Sequence, residues 1–157
     1  MDTAELLRFL RDANQHGYAS GGAAETRREP DGSTTIAYAS GGWSAHDNFF
    51  GGEPYGGRLV VSRAGRPVWM VVYYGRVDGP ATLVQPVYSF LQRALRAAPD
   101  DFPVRGPAEL RGEAFTYRSA YHGDLRAFRG EETIDRGGEP VYAAWFSGGL
   151  VDQRAGD

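Results

Sequence analysis

The fold is decided by a segment that occurs twice. Residues 55–77 are YGGRLVVSRAGRPVWMVVYYGRV, and residues 128–150 are FRGEETIDRGGEPVYAAWFSGGL. The copies align without a gap, and glycine and proline recur at the same places. These two residue types specify turn geometry that others adopt only at a cost, so the repeat predicts two hairpins of the same shape. The identical pairs are Gly57 and Gly130, Arg63 and Arg136, Gly65 and Gly138, Pro67 and Pro140, Val68 and Val141, and Gly75 and Gly148.

The first copy predicts strands at 58–62 and 67–75, joined by a hairpin loop at 63–66. Residues 68–73 of the second strand are apolar at odd and even positions alike. Since successive side chains of a strand point to opposite faces, both faces of this strand are apolar. The pattern therefore predicts a central strand of a sheet.

Other strands are predicted on both sides of the first copy and within the second. Glycine-rich residues 51–57 are predicted to form a turn. The remaining predicted strands are 34–40, 43–50, 113–121, 131–135 and 140–147.

Two amphipathic helices are predicted, one before each set of strands. The first spans about 3–16, where Asp2 and Glu5 resemble a capping box and apolar residues follow at helical spacing. The second spans about 81–98, and Pro86 requires the helix to start or kink near it.

The predicted fold class is α+β. Two pseudo-repeated helix-plus-antiparallel-strand halves, about 3–77 and 81–150, form a curved antiparallel sheet packed by two helices. We expect a single domain over residues 1–157, with residues 152–157 as a tail.

Composition removes several kinds of chemistry. The chain has no cysteine, which excludes thiolate nucleophiles, disulfides and thiolate-bound metals. All its basic residues are arginine, so no lysine is present to form a Schiff base or to complete a Walker A loop. No cofactor is indicated.

Charge and hydropathy bear on partners and location. A net charge of −3 with interspersed signs predicts no binding to nucleic acid. The longest apolar run, residues 68–74, is far shorter than the roughly 20 residues that span a bilayer, so no membrane partner is predicted. Cytoplasmic localisation is the default expectation.

The stretch from Gly65 to Gly75, GRPVWMVVYYG, resembles a bacterial domain family of unknown function. Residues 18–22, 51–52, 103–106, 123–132 and 141–150 extend the resemblance along nearly the whole chain. Members of that family occur alone or fused behind an XRE-type helix-turn-helix in transcriptional regulators. The resemblance implies an effector-sensing module, and we expect no DNA-binding segment in this chain.

Two short polar segments are candidates for catalysis. His46 and Asp47 lie in the first half, and His122 and Asp124 lie in the second. A histidine oriented by a carboxylate acts as a general base. Adjacent residues of a strand point to opposite faces, however, and the spacing does not favour a metal site, so ordinary surface positions are the competing interpretation.

Three glutamates beside glycine turns form a further group: Glu53, Glu131 and Glu132. Paired carboxylates divide acid and base roles in some enzymes. Charge on an edge strand that prevents aggregation is the commoner explanation, and the sequence leaves both open.

Aromatic residues give the strongest functional indication. Alternation places Trp69, Tyr73, Tyr142 and Phe146 on equivalent faces of the two central strands, and Tyr117 and Tyr121 share a face of a neighbouring strand. Such a surface forms either an apolar ligand cleft or a core covered by the helices.

The leading hypothesis from the sequence is a domain that binds a small apolar or aromatic molecule in a cleft between its halves. The alternatives are a cofactor-independent cyclase, isomerase or hydrolase that uses a His/Asp pair, and a protein-interaction module. The oligomeric state stays open, with a homodimer among the alternatives.

Overall fold

The computed structural model describes residues 2–17 and 26–154, so the resemblance at residues 18–22 lies outside the described residues. The described chain is of the α+β class. Its elements are α1 (Thr3–His16), β1 (Thr26–Arg28), β2 (Thr34–Ser40), β3 (Trp43–Gly51), β4 (Tyr55–Arg63), β5 (Arg66–Val77), a 3₁₀ turn (Ala81–Leu83), α2 (Val84–Arg96), β6 (Glu109–Arg111), β7 (Thr116–Asp124), β8 (Ala127–Arg136) and β9 (Glu139–Leu150).

All nine described strands belong to one antiparallel sheet. Their order is β1-β2-β3-β4-β5-β9-β8-β7-β6, so each strand within a half pairs with its neighbour in sequence. The two halves meet where β5 pairs with β9, with Tyr73 opposite Phe146. The prediction that residues 67–75 form a central strand is confirmed, since β5 is the middle strand of the nine.

The first helix has the bounds that its sequence predicted. The Asp2 side chain accepts a hydrogen bond from the Ala4 amide at 2.8 Å, and the helix buries Leu6, Phe9 and Leu10. The second helix begins at Val84 after the 3₁₀ turn, so Pro86 lies in its first turn, where a missing amide hydrogen costs little.

The apolar residues of both helices pack against one face of the sheet as two clusters. The first joins α1 to residues of both halves and includes Leu6, Trp69 and Phe146. The second joins α2 to the second half, where Leu91 and Tyr142 are buried together. This helix-covered face holds the core.

The opposite face of the sheet carries exposed aromatic side chains at its centre. Tyr74 on β5 and Trp145 on β9 are paired across the central strands and are 48% and 47% exposed. Val72 is also exposed. Charged residues flank these side chains on the neighbouring strands, with Arg58 opposite Val72 and Glu131 opposite Trp145. Both helices cover the other face of the sheet, so this face is left without a covering layer in the described part of the chain.

The sequence misplaced one end of the predicted turn and missed two strands. The predicted turn at 51–57 ends earlier, since β4 already begins at Tyr55, and the short strands β1 and β6 were not predicted. Residues 55–57 contain two glycines, which disfavour a strand unless close packing requires them. Gly57 and Gly130 both have such packing.

Gly130→Ala is expected to destabilise the protein by about 1–3 kcal/mol, because the added methyl group would overpack the core. A Cβ at this position would lie 2.6 Å from the Ala120 carbonyl oxygen and would also meet the Phe146 ring. Urea unfolding measures the change. Gly52→Ala is the matched control, since a Cβ there meets nothing within 4 Å; equal stability losses in the two variants would contradict the close-packing explanation.

Candidate functional site

A cavity of about 270 Å³ lies between α1, the sheet and the segment that follows α2. This volume is near the lower end of ligand pockets, which span roughly 300–1,000 Å³. Leu10 and Ala13 of α1, Leu95 of α2, and Val104 contribute apolar surface. Aromatic side chains form much of the remaining wall: Tyr38, Phe49, Tyr55, Trp69, Tyr73 and Tyr88.

Asp47 brings a carboxylate into this apolar wall. Its strand, β3, pairs with β4, and Asp47 lies opposite Leu59, another residue of the cavity wall. Tyr73 on β5 donates a hydrogen bond to Asp47 Oδ1 at 2.5 Å, across the intervening strand β4. Two strands separated by a third therefore supply the pair.

The absence of a side chain at Gly57 lets the Tyr73 hydroxyl reach the Asp47 carboxylate. It lies opposite Tyr73 in the β4–β5 ladder, and a Cβ at this position would be 2.7 Å from the Tyr73 hydroxyl. A side chain on β4 would fill the space through which the tyrosine passes to Asp47. The repeated glycine of the hairpin thus shapes the site as well as the sheet.

Burial raises the pKa of Asp47 from its usual value to about 6. The hydrogen bond from Tyr73 and the charge of Arg105 act in the opposite direction and limit the rise. Burial, reinforced by the Asp47 charge, raises the pKa of Tyr73, so its hydroxyl remains a donor. Asp47 therefore carries its charge at neutral pH and loses it in mildly acidic solution.

A buried ion pair adjoins the cavity. Arg105 lies in the segment after α2 and binds Glu132 of β8 through two nitrogens, with Nε 2.9 Å from Oε2. Tyr117 and Tyr142 also donate to Glu132, at 2.6 and 2.9 Å, and Tyr55 lies 2.6 Å from the Tyr142 hydroxyl. Glu132 is 1% exposed and has four donor contacts, so its charge is compensated.

The ion pair also affects the protonation of its members. Burial acts to lower the pKa of Arg105, but Glu132 outweighs it and the pKa rises well above the ordinary value. Burial and the neighbouring Glu132 charge raise the pKa values of Tyr117 and Tyr142. The arginine remains charged and the two tyrosines remain donors.

The structure brings some of the predicted ligand-binding aromatics to the cavity and not others. Trp69 and Tyr73 line it. Tyr142, Phe146 and Tyr117 lie on the same face but are buried beyond the lining, in the core and in the Glu132 network. Tyr121 is 40% exposed and stacks on Phe102, with ring centroids 3.8 Å apart.

The predicted His/Asp pairs are not assembled at the cavity. His46 is exposed and lies opposite Val60 in the ladder, on the face away from Asp47, because neighbouring strand residues alternate. His122 and Asp124 are exposed at the end of β7, and Asp124 accepts from the Arg126 amide at 2.7 Å. Of the four predicted catalytic residues, only Asp47 lines the cavity.

The edge-strand explanation for Glu132 was wrong. Its strand, β8, lies between β7 and β9, and its side chain points into the core. Alternation gave a usable signal, because Glu132 shares a strand face with the apolar residues Phe128 and Ile134. Arg105 carried no comparable signal, since it belongs to neither a helix nor a strand.

Glu53 closes another side of the site. Its carboxylate accepts from the Tyr88 hydroxyl of α2 and from the Val77 amide of β5, the latter at 2.8 Å. These bonds attach the segment between β3 and β4 to α2, next to the cavity residues Gly51 and Gly52.

Residues 2–17 and 26–154 contain neither a cluster of metal-ligating side chains nor a helix fit to span a membrane. No group of three or more histidine, aspartate or glutamate side chains is placed to hold a metal ion. None of the helices within those ranges has the length and apolar character needed to cross a membrane.

The family of this chain is identified by its sequence. Residues 47–151 match the family model described as a domain of unknown function, DUF5680. Because the match covers most of the chain, this chain belongs to the DUF5680 family. No curated protein and no solved structure matches the chain.

Glu132→Gln is expected to destabilise the protein by about 3–5 kcal/mol, because it leaves Arg105 buried beside a neutral partner. Chemical denaturation measures the change. Glu109→Gln is the matched control, since Glu109 also pairs with arginines but is 39% exposed at its side chain, and a much smaller loss is expected there. Similar losses in both variants would contradict a special role for the buried pair.

Asp47→Asn should change how stability depends on pH. The folded protein holds the Asp47 proton up to about pH 6, whereas the unfolded chain releases it near 3.8. The wild type thus loses stability as pH rises between these values, and the variant lacks this loss. Relative to wild type, the variant should gain about 1–3 kcal/mol between pH 4 and pH 7 in urea unfolding. A pH-independent difference would refute the raised pKa.

Proposed function

We propose that this protein binds a small apolar or aromatic molecule in the cavity between α1, α2 and the sheet. The observation that supports the proposal is the combination of an aromatic wall with one carboxylate, Asp47, directed into it. Ligand pockets have this composition: mostly apolar surface, with a few polar groups that orient the bound molecule.

Side-chain contacts also hold the segments that form the cavity wall. This favours a ligand-binding cavity over a packing defect in the core. The Arg105–Glu132 pair attaches the segment after α2 to β8, and Glu53 attaches the β3–β4 segment to α2. A preorganised wall lowers the entropy cost of binding a ligand.

An effector-sensing role follows from the same proposal. Its support is the sequence resemblance to a bacterial domain that occurs fused behind XRE-type helix-turn-helix regulators. In such a role the ligand would stabilise one arrangement of the two helices over the sheet, because both α1 and α2 contribute to the wall.

The two halves of the sheet are proposed to be an internal duplication, which would make the cavity an asymmetric elaboration of a repeated unit. β5 and β9 both have 12 residues, and the register shifts at Val61/Ser62 in one hairpin and at Ile134/Asp135 in the other. Both turns have positive φ at their two central residues, Ala64–Gly65 and Gly137–Gly138.

The alternatives from the sequence have weaker support. An enzyme with His46 or His122 as the base needs those imidazoles in the cavity, and both are exposed elsewhere. An interaction module finds support in exposed Tyr74 and Trp145, but neighbouring charges make that face typical of a solvated sheet surface.

Ala13→Leu tests the binding proposal by filling the cavity from α1. A thermal-shift screen of apolar and aromatic compounds should yield ligands that stabilise the wild type by several degrees, since saturation at about 100 times Kd contributes about 2.7 kcal/mol. The same ligands should fail to shift the folded Ala13→Leu variant. Ala4→Leu, at an exposed position of the same helix, is the control and should respond like the wild type.

The absence of any stabilising ligand would contradict the proposal. Ligands that stabilise Ala13→Leu as strongly as the wild type would place the binding site outside the cavity and would contradict it equally.

A further inference from the structure

One of the two charged residues on the cavity wall has no salt-bridge partner in the described part of the chain. Asp47 and Arg105 are the two charged residues of the described lining. Arg105 is paired through two nitrogens with Glu132, and its guanidinium lies over the Phe146 ring, 5.9 Å from the centroid. Asp47 forms no salt bridge with any residue of the described ranges. The wall therefore presents one negative charge without an ionic partner.

Asp47 and Tyr73 offer a ligand hydrogen-bond acceptors. Tyr73 has used its hydroxyl proton on Asp47 Oδ1, so its oxygen offers lone pairs. The described part of the chain donates no hydrogen bond to Asp47 Oδ2. A ligand that complements these atoms must be a donor.

The other tyrosines around the cavity direct their hydroxyl groups into hydrogen bonds away from the ligand space. Tyr38 donates to Asp12, Tyr88 to Glu53, and Tyr55 contacts the Tyr142 hydroxyl that donates to Glu132. The rings of these tyrosines and of Trp69 form the wall. The negative face of an aromatic ring attracts a cation, most strongly where water is excluded.

We propose that the ligand of this cavity is an apolar or aromatic amine bound as its ammonium ion, with Asp47 Oδ2 as the ionic partner and the tyrosine and tryptophan rings around the hydrocarbon part. This inference rests on the proposed binding function and specifies its ligand class. An anionic ligand is disfavoured because Asp47 would repel it while Arg105 is committed to Glu132.

The test compares three indole compounds of similar shape, of which one is a cation, one is neutral and one is an anion. Tryptamine, tryptophol and indole-3-propionate are titrated into the wild type, Asp47→Asn and Ala13→Leu by calorimetry at pH 8. The amine should bind the wild type at least tenfold more tightly than the alcohol, and the acid should bind most weakly. Asp47→Asn should remove the preference for the amine over the alcohol, and Ala13→Leu should abolish binding of both.

The pH dependence gives a second readout. Since Asp47 protonates near pH 6, amine affinity should fall roughly tenfold from pH 8 to pH 5, while alcohol affinity stays constant. The charged and titratable groups around Asp47 are Tyr73, Arg105 and its strand neighbour His46. His46→Gln should keep the pH dependence, and its loss in that variant would assign the effect to the histidine.

The outcomes separate the two proposals. Equal affinity for amine and alcohol, with both sensitive to Ala13→Leu, would overturn the amine inference and leave the binding function standing. The amine inference is also overturned, and the binding function left standing, if none of the indole probes binds while other compounds of the thermal-shift screen bind in the cavity. Failure of all compounds would overturn both.

Discussion

The antiparallel pairing of β5 with β9 is the constraint on which the rest of the structure depends. It joins two sets of strands, each built from sequence neighbours, into one sheet of nine described strands. It also aligns Tyr73 with Phe146, so that the aromatic residues of both hairpins share a face. Both helices then pack on that face, and the cavity lies beneath them.

Charge placement within this frame explains the character of the site. Arg105 and Glu132 neutralise each other, and three tyrosine hydroxyls complete the network around them. Because the charges of this buried pair are compensated, the pair attracts a charged ligand only weakly. Asp47 is different, because a neutral hydroxyl is its donor, and its charge remains available to a bound molecule.

Local patterns predicted the elements better than the contacts between them. The bounds of α1 and the existence of both hairpins followed from apolar periodicity and from repeated glycine and proline. Asp47 was recognised as a functional candidate, yet its predicted partner was the adjacent His46. The actual partner, Tyr73, is 26 residues away, and only strand order could reveal it.

The sequence by itself determined both helices and the longer strands, the absence of cysteine and lysine chemistry, and the aromatic composition of one sheet face. These depend on residue type and on periods of 2 or 3.6, which are local properties. The tertiary structure decided which face the helices cover and that Arg105 meets Glu132. Those outcomes depend on contacts between residues distant in sequence, 27 positions apart in the case of Arg105 and Glu132. No local pattern encodes such a distance.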